Sequence, residues 1–238
     1  MEFKDSGIII SIKKFGESAG LLEVITENHG RHMGLVRGYQ SKNNKALLQP
    51  GNTLDLIWRA RLSEHLGVFN YELATSRSHM LMINKIAIIV LQNMIPHLKL
   101  LPEREIFSNI FYLTENTLDL LYDDTKIIEN FIKWELFFLK ELGYGVDFSE
   151  CAVTRTKNNL KYVSPKSRRA VSKIIGDPYK DKLLEIPAFL LGDHKSNKND
   201  LVKGLLLTEF FLKQDLYIPM ELKITTFRDS LYKLLNNN

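Results

Sequence analysis

The chain has 238 residues, 45% of them hydrophobic and 25% charged, with 32 Lys and Arg against 28 Asp and Glu for a formal charge of +4. This is ordinary for a soluble globular protein, and the length suffices for one large core or two smaller ones. A single cysteine excludes an intrachain disulfide framework. The start, MEFKDSG, lacks the basic-then-apolar order of a signal peptide, and the longest strongly apolar run, Ile86 to Leu91, is too short to span a bilayer, so a cytoplasmic chain without a membrane contact is expected.

The first eighty residues read as strands. Ile8, Ile10 and Ile12 alternate with less apolar neighbours, although Ile9 makes both faces partly apolar. Leu21 to Thr26 and Met33 to Val36 follow, separated by the turn residues Asn28, His29 and Gly30. From Asn28 to Leu54 there is no acid, yet Arg31, Arg37, Lys42 and Lys45 fall inside, with Tyr39 among them. Cations around an aromatic on a loop suit a single strand, because phosphates pair with the charges and a base can stack on the ring. These five residues, Arg31, Arg37, Tyr39, Lys42 and Lys45, are the expected contacts with a nucleic-acid strand. Leu54 to Arg59 and Val68 to Leu73 make a fourth and a fifth run. Five short strands suit a small closed barrel, and by pattern an OB-fold and an SH3-like barrel fit nearly equally.

From about Ser78 the period lengthens towards 3.6. Met80 to Leu100 is expected as one long helix that Pro96 kinks or ends, with Pro102-Glu103-Arg104-Glu105 as the first turn of the next. Lys126 to Leu142 places Ile127, Phe131, Trp134, Phe138 and Leu142 on one face, with Gly143 as its cap. Residues 144–200 are irregular. Leu201 to Leu216 returns to helix, Pro219 is expected to open a last one carrying Ile224, Phe227, Leu231 and Leu234, and Asn236 to Asn238 should fray. The expected organisation is an α+β chain: a five-stranded barrel over 1–78, then a mainly α-helical domain over 79–238 with an irregular basic segment at 144–200.

That segment is a second basic island. Residues 151–182 carry nine cations against two acids, directly after a stretch, 81–150, with six against eleven. Lys166, Arg168, Arg169 and Lys173 are the expected site for an anionic partner, either DNA or an acidic protein tail, with Ser164 to Arg169 starting a short helix. Tyr179, Leu183 and Phe189 are close enough in sequence to supply an apolar pocket for such a tail.

Catalysis has little support. There is no phosphate-cradling P-loop and no dinucleotide fingerprint. His29 and His32 lie in a turn and a strand start with no Cys to complete a metal set, and His65, His79, His97 and His194 are isolated, as surface or capping histidines. Asp123-Asp124 sits at a helix end. No catalytic residue and no cofactor is expected.

Several ordered motifs resemble the RecO-type DNA repair and recombination mediators: FGE at Phe15 to Glu17, TENHGR at Thr26 to Arg31, GLVRG at Gly34 to Gly38, and LLQPGNTLDL at Leu47 to Leu56. LPERE at Leu101, WELFFLKELGY at Trp134, YVSPKSRRAVS at Tyr162 and PAFLL at Pro187 continue the series over nearly the whole chain. The resemblance implies the OB form of the barrel. It also implies a mediator that binds single- and double-stranded DNA, anneals complementary strands and helps RecA replace single-strand-binding protein, with RecR and the acidic tail of that protein as partners. Many members carry a four-cysteine zinc site after the ELGY segment. Here Cys151 occupies the first ligand position and Thr154 the second, with no Cys or His nearby to complete a cage, so no zinc is expected. The reading from another class is a scaffold that binds only proteins; a hydrolase has the least support.

Overall fold

A computed structural model describes residues 1–62, 64–123, 126–192 and 195–236. His194, the second member of the Asp123-Asp124 pair, and Asn237-Asn238 lie outside the described residues. The chain packs into two compact units, Met1–Asp124 and Thr125–Asn238. The change from strand to helix comes near residue 78, but the break in packing comes at 124, so the first helices belong with the barrel.

In the first unit, β1 (Glu2–Phe15), β2 (Ala19–Thr26), β3 (Gly30–Val36), β4 (Thr53–Arg59) and β5 (Gly67–Thr75) close in the order β1-β2-β3-β5-β4. The long β1 makes closure possible: its first half pairs with β4, Glu2 opposite Arg59, and its second half with β2, Phe15 opposite Ala19. A register shift between Ile9 and Ser11 bends it at the handover, where Ile9 exchanges backbone hydrogen bonds with Gly51 and Asn52 instead. Ile9 enters the barrel core, and Ile8 and Ile10 are also buried because helix α3 (Lys85–Leu98) packs on this strand. That is why the run is apolar on both faces.

Closure is completed by a parallel pairing of β3 with β5, Gly34 opposite Gly67. A side chain on Gly67 would collide with the Trp58 indole, and one on Gly34 with the Phe69 ring, so both glycines permit this close approach. The strand order, with α1 (Lys42–Leu47) between β3 and β4, makes the barrel OB-like and separates the two forms that the strand pattern left open.

In the first unit two helical expectations change. Met80 to Leu100 is two helices, α2 (Ser78–Ile83) and α3, because Asn84 stops one and caps the other, its Oδ1 accepting from Ile86 N and Ala87 N at 2.9 and 3.1 Å. Pro96 lies inside the last turn of α3, where its missing N–H deprives only Gln92 O of a donor. Pro102 to Glu105 is not a helix start: Arg104 N donates to Arg31 O at 2.9 Å, and Glu103 bridges Arg31 at the β3 edge. The next helix is α4 (Ser108–Asp119).

In the second unit, α5 (Ile127–Glu141) buries Ile127, Phe131, Trp134 and Phe138. It ends as expected: Gly143 has φ +85°, with Gly143 N on Lys140 O and Tyr144 N on Leu139 O. The irregular segment holds a small antiparallel sheet ordered β7-β6-β8, from β6 (Leu160–Val163), β7 (Ala170–Ser172) and β8 (Leu184–Glu185), with the short α6 (Lys173–Gly176) after β7. Strands of two to four residues carry too little alternation to be read from sequence. Ser164 to Arg169 is thus a hairpin connection, with Ser164 N on Arg169 O, and not a helix start. α7 (Lys198–Leu212) begins in a reciprocal Asn197–Asp200 cap. α8 (Phe227–Asn236) starts eight residues after Pro219, and the intervening turn includes Glu221 at φ +56°. Arg228 on α8 is fully buried against Glu135 of α5 and Thr208 of α7, which fixes the three helices together.

Candidate nucleic-acid interface

At the end of β3 the chain leaves the barrel through Arg37-Gly38-Tyr39. Gly38 has φ +65°, and Asn44 Nδ2 donates to its carbonyl at 2.9 Å. Ser41 Oγ accepts from Asn44 N at 3.2 Å and caps α1, a helix with no buried residue. The turn therefore holds a small exposed helix against the barrel end, and Arg37, Lys42 and Lys45 are all exposed. Among the described residues none of the three has an ion-pair partner.

Strand register brings two more cations to this end. Lys14 is opposite Gly20, and Gly20 is opposite Val36, the residue before Arg37. Lys13 and Lys14 are exposed and likewise without an ion pair among the described residues. They stand some twenty residues before the loop in sequence, so only the pairing register could find them. Tyr39 is half-buried: its ring presses on Gly20, where a Cβ would lie 2.8 Å from Cγ, and Lys45 Nζ is 6.0 Å from the ring centroid. It packs on the barrel core and does not stand out as a free platform.

Arg31 is elsewhere. Six residues of strand carry it roughly 20 Å from Arg37, and its guanidinium is committed: Nη1 is 2.6 Å from Glu23 Oε1 and Nε donates to Leu101 O at 2.8 Å. Burial of Glu23 works against its charge, but hydrogen bonds from Ser11 and Arg31 and the nearby Lys99 leave its carboxyl below the usual range.

The second island has no acid between Glu150 and Asp177 in sequence, but acids reach that run in space. Arg168, at φ +57°, forms a two-pronged ion pair with the buried Asp215, Nη2 to Oδ1 at 2.5 Å, and its guanidinium lies 5.5 Å from the Tyr144 and Phe211 ring centroids. Arg169 is 2.7 Å from Glu150 and 3.6 Å from Asp147. Lys166 and Lys173 remain exposed, Lys173 within the field of Asp177 and Lys166 without an ion pair among the described residues. The apolar trio is dispersed: Tyr179 is exposed, Leu183 packs on the Cys151 cluster, and Phe189 is buried beside Gly204.

The described residues contain no group of three or more His, Cys, Asp or Glu able to hold a metal ion. Cys151 is buried, and Ser172 N donates to its sulfur at 3.3 Å. Burial pushes its thiol up, but hydrogen bonds from Thr154 and Ser172 more than offset this and bring it to about 6. The histidines depart from the surface expectation in one case: His97 is buried in α3, whereas His65 and His79 are exposed. His29 stacks on Phe3 at 3.8 Å and pairs with Asp5 at 2.6 Å, and His32 is buried beside Trp58. Among the described residues no helix is long and apolar enough to cross a membrane.

Two family models match, Recombination protein O N terminal over residues 1–77 and Recombination protein O C terminal over residues 98–223. The chain belongs to the RecO family. The DNA repair protein RecO of Mesorhizobium japonicum is 43% identical over 221 residues, covering 92% of this chain and 87% of that protein. That of Rhizobium etli is 42% identical over 231 residues, 96% and 90% of the two chains, and that of Agrobacterium fabrum 40% over 232 residues, 96% and 91%. As a RecO protein, the chain has its general role in DNA repair and recombination.

Proposed function

We propose that this RecO protein binds single- and double-stranded DNA, anneals complementary strands and assists the loading of RecA onto strands coated by single-strand-binding protein, with no catalytic step of its own. The observation that carries this is the gathering of Lys13, Lys14, Arg37, Lys42 and Lys45, all exposed and without ion pairs among the described residues, at one end of the OB-like barrel. A cationic surface screens two phosphate backbones from each other, which is all that annealing requires of it. Arg31 is left out of this surface because its charge is already paired. RecR and the acidic tail of single-strand-binding protein are the partners proposed with it. Within the second island, Lys166 and Lys173 are exposed cations open to such a tail, and Arg168 and Arg169 mainly hold the hairpin in shape.

Fluorescence anisotropy with labelled strands over a salt series tests the surface. Three to five neutralised phosphates give a slope of log K against log salt of roughly −2 to −3.5 on single strands. A purely protein-binding scaffold would show no such slope. Mixing complementary labelled strands with the full chain tests annealing, which should slow as salt rises.

A further inference from the structure

We propose that a groove beside the cationic loop receives one unstacked nucleobase of the strand that the loop holds; this rests on the DNA-binding proposal above. The groove, about 260 Å³, lies between the Gln49-Pro50 turn and helices α2 and α3. Leu81, Met82, Ile88, Leu91 and Ile95 form its apolar walls, and Gln49, Gln92 and Ser78 are polar members of the lining. It falls just below the roughly 300–1,000 Å³ of pockets for drug-sized ligands, a size suited to a single ring system.

The groove is held open by packed structure. Gly51, at φ +90°, rests on Leu81 and Leu91, where a Cβ would lie 3.1 and 3.3 Å from their methyl carbons. Asn52 Oδ1 accepts from Arg77 N at 2.7 Å, and Arg77 Nη1 donates to Gly51 O at 3.0 Å. Arg77 is anchored in turn by Asp119 at 2.6 Å. The turn that forms one wall is thereby clamped to the start of α2, so that wall needs no ordering by a ligand.

Charge and continuity select the occupant. No acid lines the groove, and Gln49 Nε2 donates to Lys45 O, so its mouth begins one turn beyond the last cation of α1. A polyanionic strand drawn to Lys42 and Lys45 thus arrives with its backbone on the cations and its bases beside an uncharged apolar slot. Phosphates are better solvated outside such a slot, but a base gains by entering it. Single-strand binders need a surface for unstacked bases, and Tyr39 offers little, with one face on Gly20 and Lys45 near its ring. The two carboxamides each carry a donor and an acceptor, the groups that pair with base edges. Met82, 71% exposed, adds a polarizable wall that can close on a ring.

The test compares an oligothymidine with the same strand carrying central abasic sites, on the full chain, its Gln92→Glu variant and its Met82→Ser variant. Both changes lie on half-buried or exposed positions, and thermal melts check that each variant folds. Wild type should prefer the base-bearing strand by about fivefold or more, the size of one base contact. Each variant should bring that ratio close to one while the salt slope stays as in wild type. Equal affinity of wild type for both strands, with the slope intact, overturns the groove and leaves the loop standing. Loss of salt-dependent binding to either strand in wild type overturns both. A base preference untouched in the variants, with loss of binding to an uncharged apolar peptide, assigns the groove to a protein partner instead.

Discussion

Arg31 Nη1 lies 2.6 Å from Glu23 Oε1, diagonally across β2 and β3, and the same guanidinium holds the Leu101 carbonyl. Its charge works inside the unit, tying the β3 edge to the segment that follows α3. Arg31→Ala should cost about 1–3 kcal/mol of stability, since it strands the Leu101 carbonyl and leaves the largely buried Glu23 carboxylate with only Ser11 and Lys99. Urea denaturation measures that loss, and anisotropy on the folded variant should show single-strand affinity within twofold of wild type. A marked loss of affinity at unchanged stability would return Arg31 to the DNA surface.

The double variant Lys42→Glu/Lys45→Glu should do the opposite. Both side chains are exposed on a helix that buries nothing, so stability should change by less than about 0.5 kcal/mol. Two lost phosphate contacts should flatten the single-strand salt slope by roughly 1.4. An unchanged slope would remove α1 from the interface.

The second island should divide in the same way. Arg168→Ala breaks a bidentate pair with the buried Asp215 and should destabilise by about 3 kcal/mol. Lys166→Glu should leave stability alone and weaken an acidic tail peptide, an effect that fades at high salt. Peptide titration by calorimetry on both variants separates the roles, and equal binding by wild type and Lys166→Glu would make that lysine a solvated surface residue.

Burial lowers His32 to about 4, and its Nδ1 lacks a hydrogen-bond partner. The unfolded chain, with an ordinary histidine near 6.5, binds the proton more readily, so stability is full above about pH 6.5 and is lost as pH falls through 4. The full contribution is on the order of 3 kcal/mol. Denaturation at pH 7 and pH 4.5 on wild type and His32→Phe should show a smaller drop in the variant. An equal drop would place the acid sensitivity on other groups.

At Cys151, Thr154 and Ser172 hydrogen-bond to the sulfur where a zinc cage would need further ligands. Elemental analysis should find far less than one zinc per chain, and a chelator should leave the melting temperature unchanged. Stoichiometric, chelator-resistant metal would show a ligand set that the described residues lack.

The barrel, the aromatic face of α5 and its Gly143 cap were legible in the sequence, because alternation, helical spacing and a glycine stop are local properties that burial and backbone sterics impose on neighbouring residues. Family membership was legible too, since ordered motifs survive without knowledge of contacts. The distribution of usable charge was not. Arg31 and Arg37 are six residues apart, yet a strand sends them to opposite ends of the barrel, and Lys13 and Lys14 join Arg37 only through the β1–β2–β3 register. Arg168 and Arg169 stand in an acid-free run but meet Asp215 and Glu150 across the fold. Whether a cation is free depends on which acid the tertiary structure carries within about 4 Å, and that distance is set by long-range pairing that no local pattern encodes.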